Sequence, residues 1–219
     1  MDAADLVAEI NKEVRGCPLP SLIYAIKRSA RIFCQETWLV RRTNSYNVTP
    51  NQQTVQLLAN DTLEEVIAVR HAHILNPANN SKIPLRFLYP EYINPNASPG
   101  QPTGASFVPY TALMFDRPPD VNYVLYAELV MQPSSDGEYI PDELGVKYRH
   151  AIGYGALEYV KMQRGNDWYD PQGSQYYRAL FNGEIARGRG EAQTYSQPGQ
   201  WRWVRNPFAM GGGLRGWGT

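Results

Sequence analysis

Leu6, Val7, Ile10 and Val14 recur at helical spacing, and Gly16-Cys17-Pro18 follows with a glycine exit and a proline. This pattern predicts a first helix over residues 2–15. A second is predicted over 20–39, where Leu22, Ile26, Ala30 and Phe33 share one face and Lys27, Arg28 and Arg31 lie mostly on the other. Beyond Thr43 the periodicity changes. Short β-prone runs at Gln53–Leu58, Glu64–Leu75 and Leu85–Tyr89 are punctuated by Asn, Pro and Gly. Asn94–Gly104 holds three prolines and two glycines and reads as a loop. Two further strands, Ser106–Phe115 and Tyr123–Met131, flank Asp116-Arg117-Pro118-Pro119-Asp120, and so short a connection predicts an antiparallel hairpin. In the second strand Val124, Tyr126, Glu128 and Val130 line one face, and Leu125, Ala127 and Leu129 the other.

Helical spacing returns after Pro141, with Leu144, Tyr148, Ile152, Leu157 and Val160 predicting a helix over 141–163. Asp170-Pro171 opens a last helix over 171–188. The order of elements predicts an α+β fold: a helical bundle formed by N- and C-terminal helices, interrupted by a β-rich antiparallel insertion at about 46–132. One domain over 1–195 accounts for all of it. Residues 196–219 differ, with six glycines, three tryptophans, three arginines and no acid. That composition cannot build a core, and tryptophans on a glycine-rich segment predict an extended C-terminal arm that orders on a partner.

Twenty-one basic residues balance twenty-one acidic ones, so the chain lacks the basic excess of a free-standing nucleic-acid binder. The opening residues are acidic and without a long apolar run, so neither a signal peptide nor a membrane span is expected, and synthesis is assigned to a cytoplasm. Cys17 and Cys34 lie outside any CxxC pattern and read as reduced structural thiols. Fifteen tyrosines, five tryptophans and seventeen prolines make a composition common at protein contacts.

No GxSxG, HExxH or phosphate-cradle signature is present, and Gly188-Arg189-Gly190 and Gly211-Gly212-Gly213 lack the strand and helix that a cradle needs. No catalytic residue, cofactor or metal is expected. His71 and His73 alternate on a strand like a metal pair but lack a third ligand, and Cys34 with His150 lacks local support as a nucleophile and base. Arg28, Arg31, Arg41 and Arg42 read as a solvated surface, or as contacts to DNA phosphates if they line a pore. Arg202 and Arg205 interleave with Trp201 and Trp203, a pattern shared by single-strand binders and by docking arms.

Glu13-Val14-Arg15-Gly16-Cys17-Pro18, followed by Ala25, Arg28, Ala30 and Phe33-Cys34, resembles the opening of head-to-tail adaptor proteins of tailed double-stranded DNA bacteriophages. A second block, Ile152, Gly155-Ala156-Leu157, Trp168-Tyr169-Asp170-Pro171, Phe181 and Ile185-Ala186-Arg187, is similar to that family's two C-terminal helices. The resemblance implies a non-enzymatic virion protein at the portal vertex. It would form a ring, usually of twelve copies, under the portal protein, offer a tail or nozzle protein a docking surface, and surround passing DNA without reading its sequence. In that setting Trp201, Arg202, Trp203, Arg205, Phe208, Met210 and Trp217 are the expected portal- or neighbour-binding residues of the arm. The long proline-rich loop and the Trp-rich tail depart from the family's simplest pattern, so the arm's partner stays open. A neck stopper or tail-completion protein is the alternative within the structural class, a single-stranded nucleic-acid module or a small enzyme outside it.

Overall fold

Along Leu19–Thr37 (α2) the buried side chains are Leu22, Ala25, Ile26, Ser29, Ala30, Phe33, Cys34 and Thr37. Their three- and four-residue spacing is one helical face, and the helix is stabilised by laying that stripe on the core. Pro18 and Pro20 sit where a helix has no use for their missing N–H groups. Its end is unusual: Trp38 takes the left-handed conformation (φ 56°, ψ 33°) normally left to glycine, and its N–H bonds the Cys34 carbonyl at 2.9 Å.

The computed structural model describes residues 1–57, 63–108, 112–136 and 139–194. The expected arm at 196–219 lies outside them, with all seven of its binding residues. Among the described residues the fold is mixed α+β, with five helices and two largely antiparallel sheets. The first helix is shorter than its spacing predicts, Ala4–Ile10 (α1), although Val14 is still buried beyond it.

The strands are Arg41–Val48 (β1), Thr54–Gln56 (β2), Glu64–Leu75 (β3), Lys82–Pro84 (β4), Arg86–Phe87 (β5), Gly104–Val108 (β6), Ala112–Phe115 (β7) and Tyr123–Pro133 (β8). One sheet runs β1-β8-β3-β4 and the other β2-β7-β6-β5. The expected hairpin between 106–115 and 123–131 is not formed. Instead β6 and β7 pair with each other, Ala105 opposite Phe115, while β8 lies between β1 and β3 in the other sheet. Pro118 and Pro119 lack the donors a ladder needs, and their carbonyls accept from Gly100 and Asn51 as the chain passes between sheets. In β8 the expected alternation holds as far as Leu129, with Leu125, Ala127 and Leu129 buried, but Val130, expected on the other face, is buried as well. Two register shifts interrupt the β3–β8 ladder, and Ile67 and Arg70 are the extra residues.

The helix expected over 141–163 is two, Asp142–Lys147 (α3) and Arg149–Lys161 (α4). Tyr148 leaves helical geometry between them (φ −114°, ψ 24°); its ring lies 4.8 Å from that of Phe33 and its hydroxyl donates to Glu191. The last helix, Pro171–Thr194 (α5), starts where Asp170-Pro171 predicts and runs past the glycines expected to end it. Asp170 Oδ1 accepts the Gly173 N–H at 2.8 Å, and that bond, with the Lys161 ammonium, holds the carboxyl below its usual range. Gly188 is a packing residue, since a Cβ there would sit 2.8 Å from the Thr37 methyl. Helices and both sheets share one contiguous core.

Candidate functional site

Tyr24, Lys27, Arg28 and Arg31 follow one another at three and four residues along the outward side of α2. With Ile32, Gln35 and Ser135 they line a groove of about 520 Å³. The Arg28 guanidinium lies 4.6 Å from the centroid of the Tyr159 ring on α4, and Tyr24 packs against the same ring at 5.7 Å. Lys27 Nζ donates to the Ser135 carbonyl at 2.8 Å. Among the described residues, then, Lys27 meets a carbonyl and Arg28 a ring face, not a carboxylate. The geometry suits recognition of an extended anion by charge and ring stacking.

Arg31 is held differently, by Glu65 at 3.2 Å within a chain of polar groups on the groove's inner wall. Glu65 also accepts from the Ser135 N–H at 2.9 Å and the Gln132 amide at 3.0 Å, and Gln132 in turn accepts from Gln35. Burial pushes the Glu65 carboxyl up, but those hydrogen bonds and the Arg31 charge outweigh it and hold it below its usual range. A carboxyl lowered on folding contributes stability in full above its unfolded value of about 4.3, and that contribution is lost as pH falls through the folded value. Glu65→Gln is therefore expected to flatten the loss of unfolding free energy below about pH 4.3, as read from urea titrations between pH 3 and 7. Parallel pH profiles for the two proteins would rule this linkage out.

Arg41 and Arg42 start β1 and do not join the α2 groove. Arg42 pairs with Glu64 at 2.9 Å and Glu143 at 2.7 Å. Burial lowers its pKa, but these two carboxylates outweigh it and raise it. Arg41 donates to the Trp38 and Ala192 carbonyls at 2.8 and 2.7 Å and lies 3.6 Å from Glu128. The four arginines thus divide: Arg28 and Arg31 share one groove, Arg41 faces the outer side of β8, and Arg42 is tied into a carboxylate pair.

His71 and His73 reach the same face of β3, as alternation predicts, His71 beside Glu128 at 4.0 Å and His73 stacked on Tyr126 at 5.3 Å. Among the described residues no three His, Cys, Asp or Glu side chains are grouped to hold a metal ion. Cys34 is buried and its thiol is pushed up by burial and the charges of Glu64 and Glu143, while His150 is exposed. That thiol does not supply a thiolate at neutral pH. No helix of the described residues is long and apolar enough to cross a membrane.

Sequence reasoning did not reach Tyr24 and Ser135 in the groove or Tyr159 beside Arg28, nor Trp38, Arg70 and Arg189 near Arg41. Tyr24 was within reach, one helical turn before Arg28, and Trp38 stands three residues before Arg41; the others come from distant elements and carry no local signal.

The fold and this groove define a mixed α+β protein with a basic, tyrosine-lined face. No model of a known protein family matches the sequence, and no curated protein matches it.

Proposed function

We propose that this protein is a structural, non-enzymatic head-to-tail adaptor of a tailed double-stranded DNA bacteriophage. Twelve copies bind as a ring beneath the portal protein, at the neck of the virion, and present a docking surface to the tail or nozzle protein. One observation supports the reading. The two segments that carry the resemblance, far apart in sequence, pack together: Gly155 of α4 lies against Ser29 of α2 and Phe181 of α5, and Phe33 lies between Tyr148 and Phe181. In this reading the helices form a bundle that the β-rich insertion interrupts, and 196–219 serve as the arm that grips the portal or a neighbour. Repetition around the ring lets weak contacts add up, so the isolated chain is expected to be monomeric. Lys27, Arg28 and Arg31 make non-specific, salt-sensitive contacts to DNA in the channel.

Light scattering on a sizing column tests the proposal, with the protein alone and mixed with purified portal rings. A monomer that joins the portal as one stoichiometric complex is expected, and loss of that complex when 196–219 are deleted. A monomer that ignores the portal sinks the adaptor reading; full capture of the deleted protein sinks the arm's role in it.

A further inference from the structure

Beside the end of α2, on the outer face of the β1-β8-β3 sheet, three guanidiniums converge on a pocket of about 230 Å³ lined by Trp38, Arg41, Arg70 and Arg189 with Glu36 and Gln193. Two irregularities of the backbone build it. The first is Trp38, whose left-handed conformation is costly for an L residue of this size. Trp38 stays 43% exposed, so burial alone does not account for a tryptophan there. The second is the bulge in β3 at Arg70. In a regular strand Arg70 and His71 would point to opposite faces; with Arg70 as the extra residue, both reach Glu128, at 3.5 and 4.0 Å.

The charges are unevenly matched. Arg189 pairs with Glu36. Arg41 and Arg70, with side chains only 15% and 19% exposed, approach one and the same oxygen of Glu128, at 3.6 and 3.5 Å. A well-formed guanidinium–carboxylate pair closes to roughly 2.7–2.9 Å. Two half-buried cations thus share a single loosely held carboxylate oxygen, which among the described residues leaves one positive charge of the trio unmatched in a partly desolvated setting. Such a charge favours an incoming anion.

We propose that this pocket is an oxyanion-binding site, in which a phosphate or carboxylate group is held by Arg70 and Arg189, with Arg41 behind them and Trp38 as an apolar wall. The oxyanion is either free in solution or carried on the acidic side chain of a protein partner. The site shares no lining residue with the groove on α2 and does not depend on the adaptor reading.

The experiment is a thermal melt of the full chain at neutral pH and constant ionic strength, with chloride replaced stepwise by inorganic phosphate up to 20 mM, and in a parallel series by acetate. An upward shift of about 3 °C in phosphate is expected, as for a ligand of millimolar affinity that binds only the folded state. The same series is run on Arg70→Gln and Arg189→Gln. Arg70→Gln leaves Arg41 and Glu128 matched one to one, so it is expected to fold, and both variants should lose at least two thirds of the shift. A rise in both anions points to carboxylates, and so to a partner's acidic side chain; a rise in phosphate alone points to the free ion or a phosphorylated group. No rise in the unaltered chain, or an equal rise in both variants, overturns the site.

Discussion

Phe33→Ala is expected to cost about 3–5 kcal/mol, a large part of the stability of a domain this size. Phe33 is fully buried on the apolar stripe of α2, its ring 4.8 Å from Tyr148 and 6.2 Å from Phe181. It is therefore the side chain through which α2, the α3–α4 junction and α5 meet. Truncation removes the apolar area and leaves a cavity bounded by three separate segments, which cannot all move inward together. Urea unfolding followed by circular dichroism measures the loss. Phe87→Ala, at a position 44% exposed on β5, serves as the comparison and is expected to cost below about 1 kcal/mol. Similar losses for the two would mean that Phe33 is not the junction of the helices.

Gly155→Ala and Gly153→Ala should shift stability in opposite directions although the residues are two apart on the same helix. A Cβ at 155 would overlap Ser29 Oγ and sit 3.0 Å from the Phe181 ring, whereas a Cβ at 153 meets nothing within 4 Å. Overpacking predicts a loss of about 2 kcal/mol for the first, and helix propensity a gain of about 0.5–1 kcal/mol for the second. Ser29 Oγ is buried without a hydrogen-bond partner among the described residues, so Ser29→Ala removes an unpaired hydroxyl and makes room at once. Gly155→Ala should then cost less in the Ser29→Ala background than alone, a coupling that a double-mutant cycle reads directly. Additive effects would show that α4 does not approach α2 at this glycine.

Several elements were legible residue by residue. The stripe of α2, the alternation of β8 and the span of β3 all follow from periodicities contained within one segment. Strand β1 was not, because Arg-Arg-Thr-Asn-Ser-Tyr-Asn-Val holds few apolar residues and sits at a sheet edge, where polar side chains are the norm. The hairpin was misplaced for a related reason: a short connection favours pairing of its two flanks, and only the prolines within it argue otherwise. The glycines at 188 and 190 read as a helix end, yet a Cβ at the first would run into Thr37 and Phe33.

By itself the sequence determined the buried stripes of α2 and of the α3–α4 segment and the alternation of β8 as far as Leu129, and hence the α+β order, because burial periodicity is written within a few turns of chain. The tertiary structure alone decided that Arg41 and Arg70 share Glu128, that Arg28 lies on Tyr159 and not beside Arg41, and that Gly155 lets two helices touch. Those pairings join positions from about thirty to well over a hundred residues apart, and loop closure discriminates only weakly among such partners. Sheet register, one bulge and the close approach of two helices made the choice.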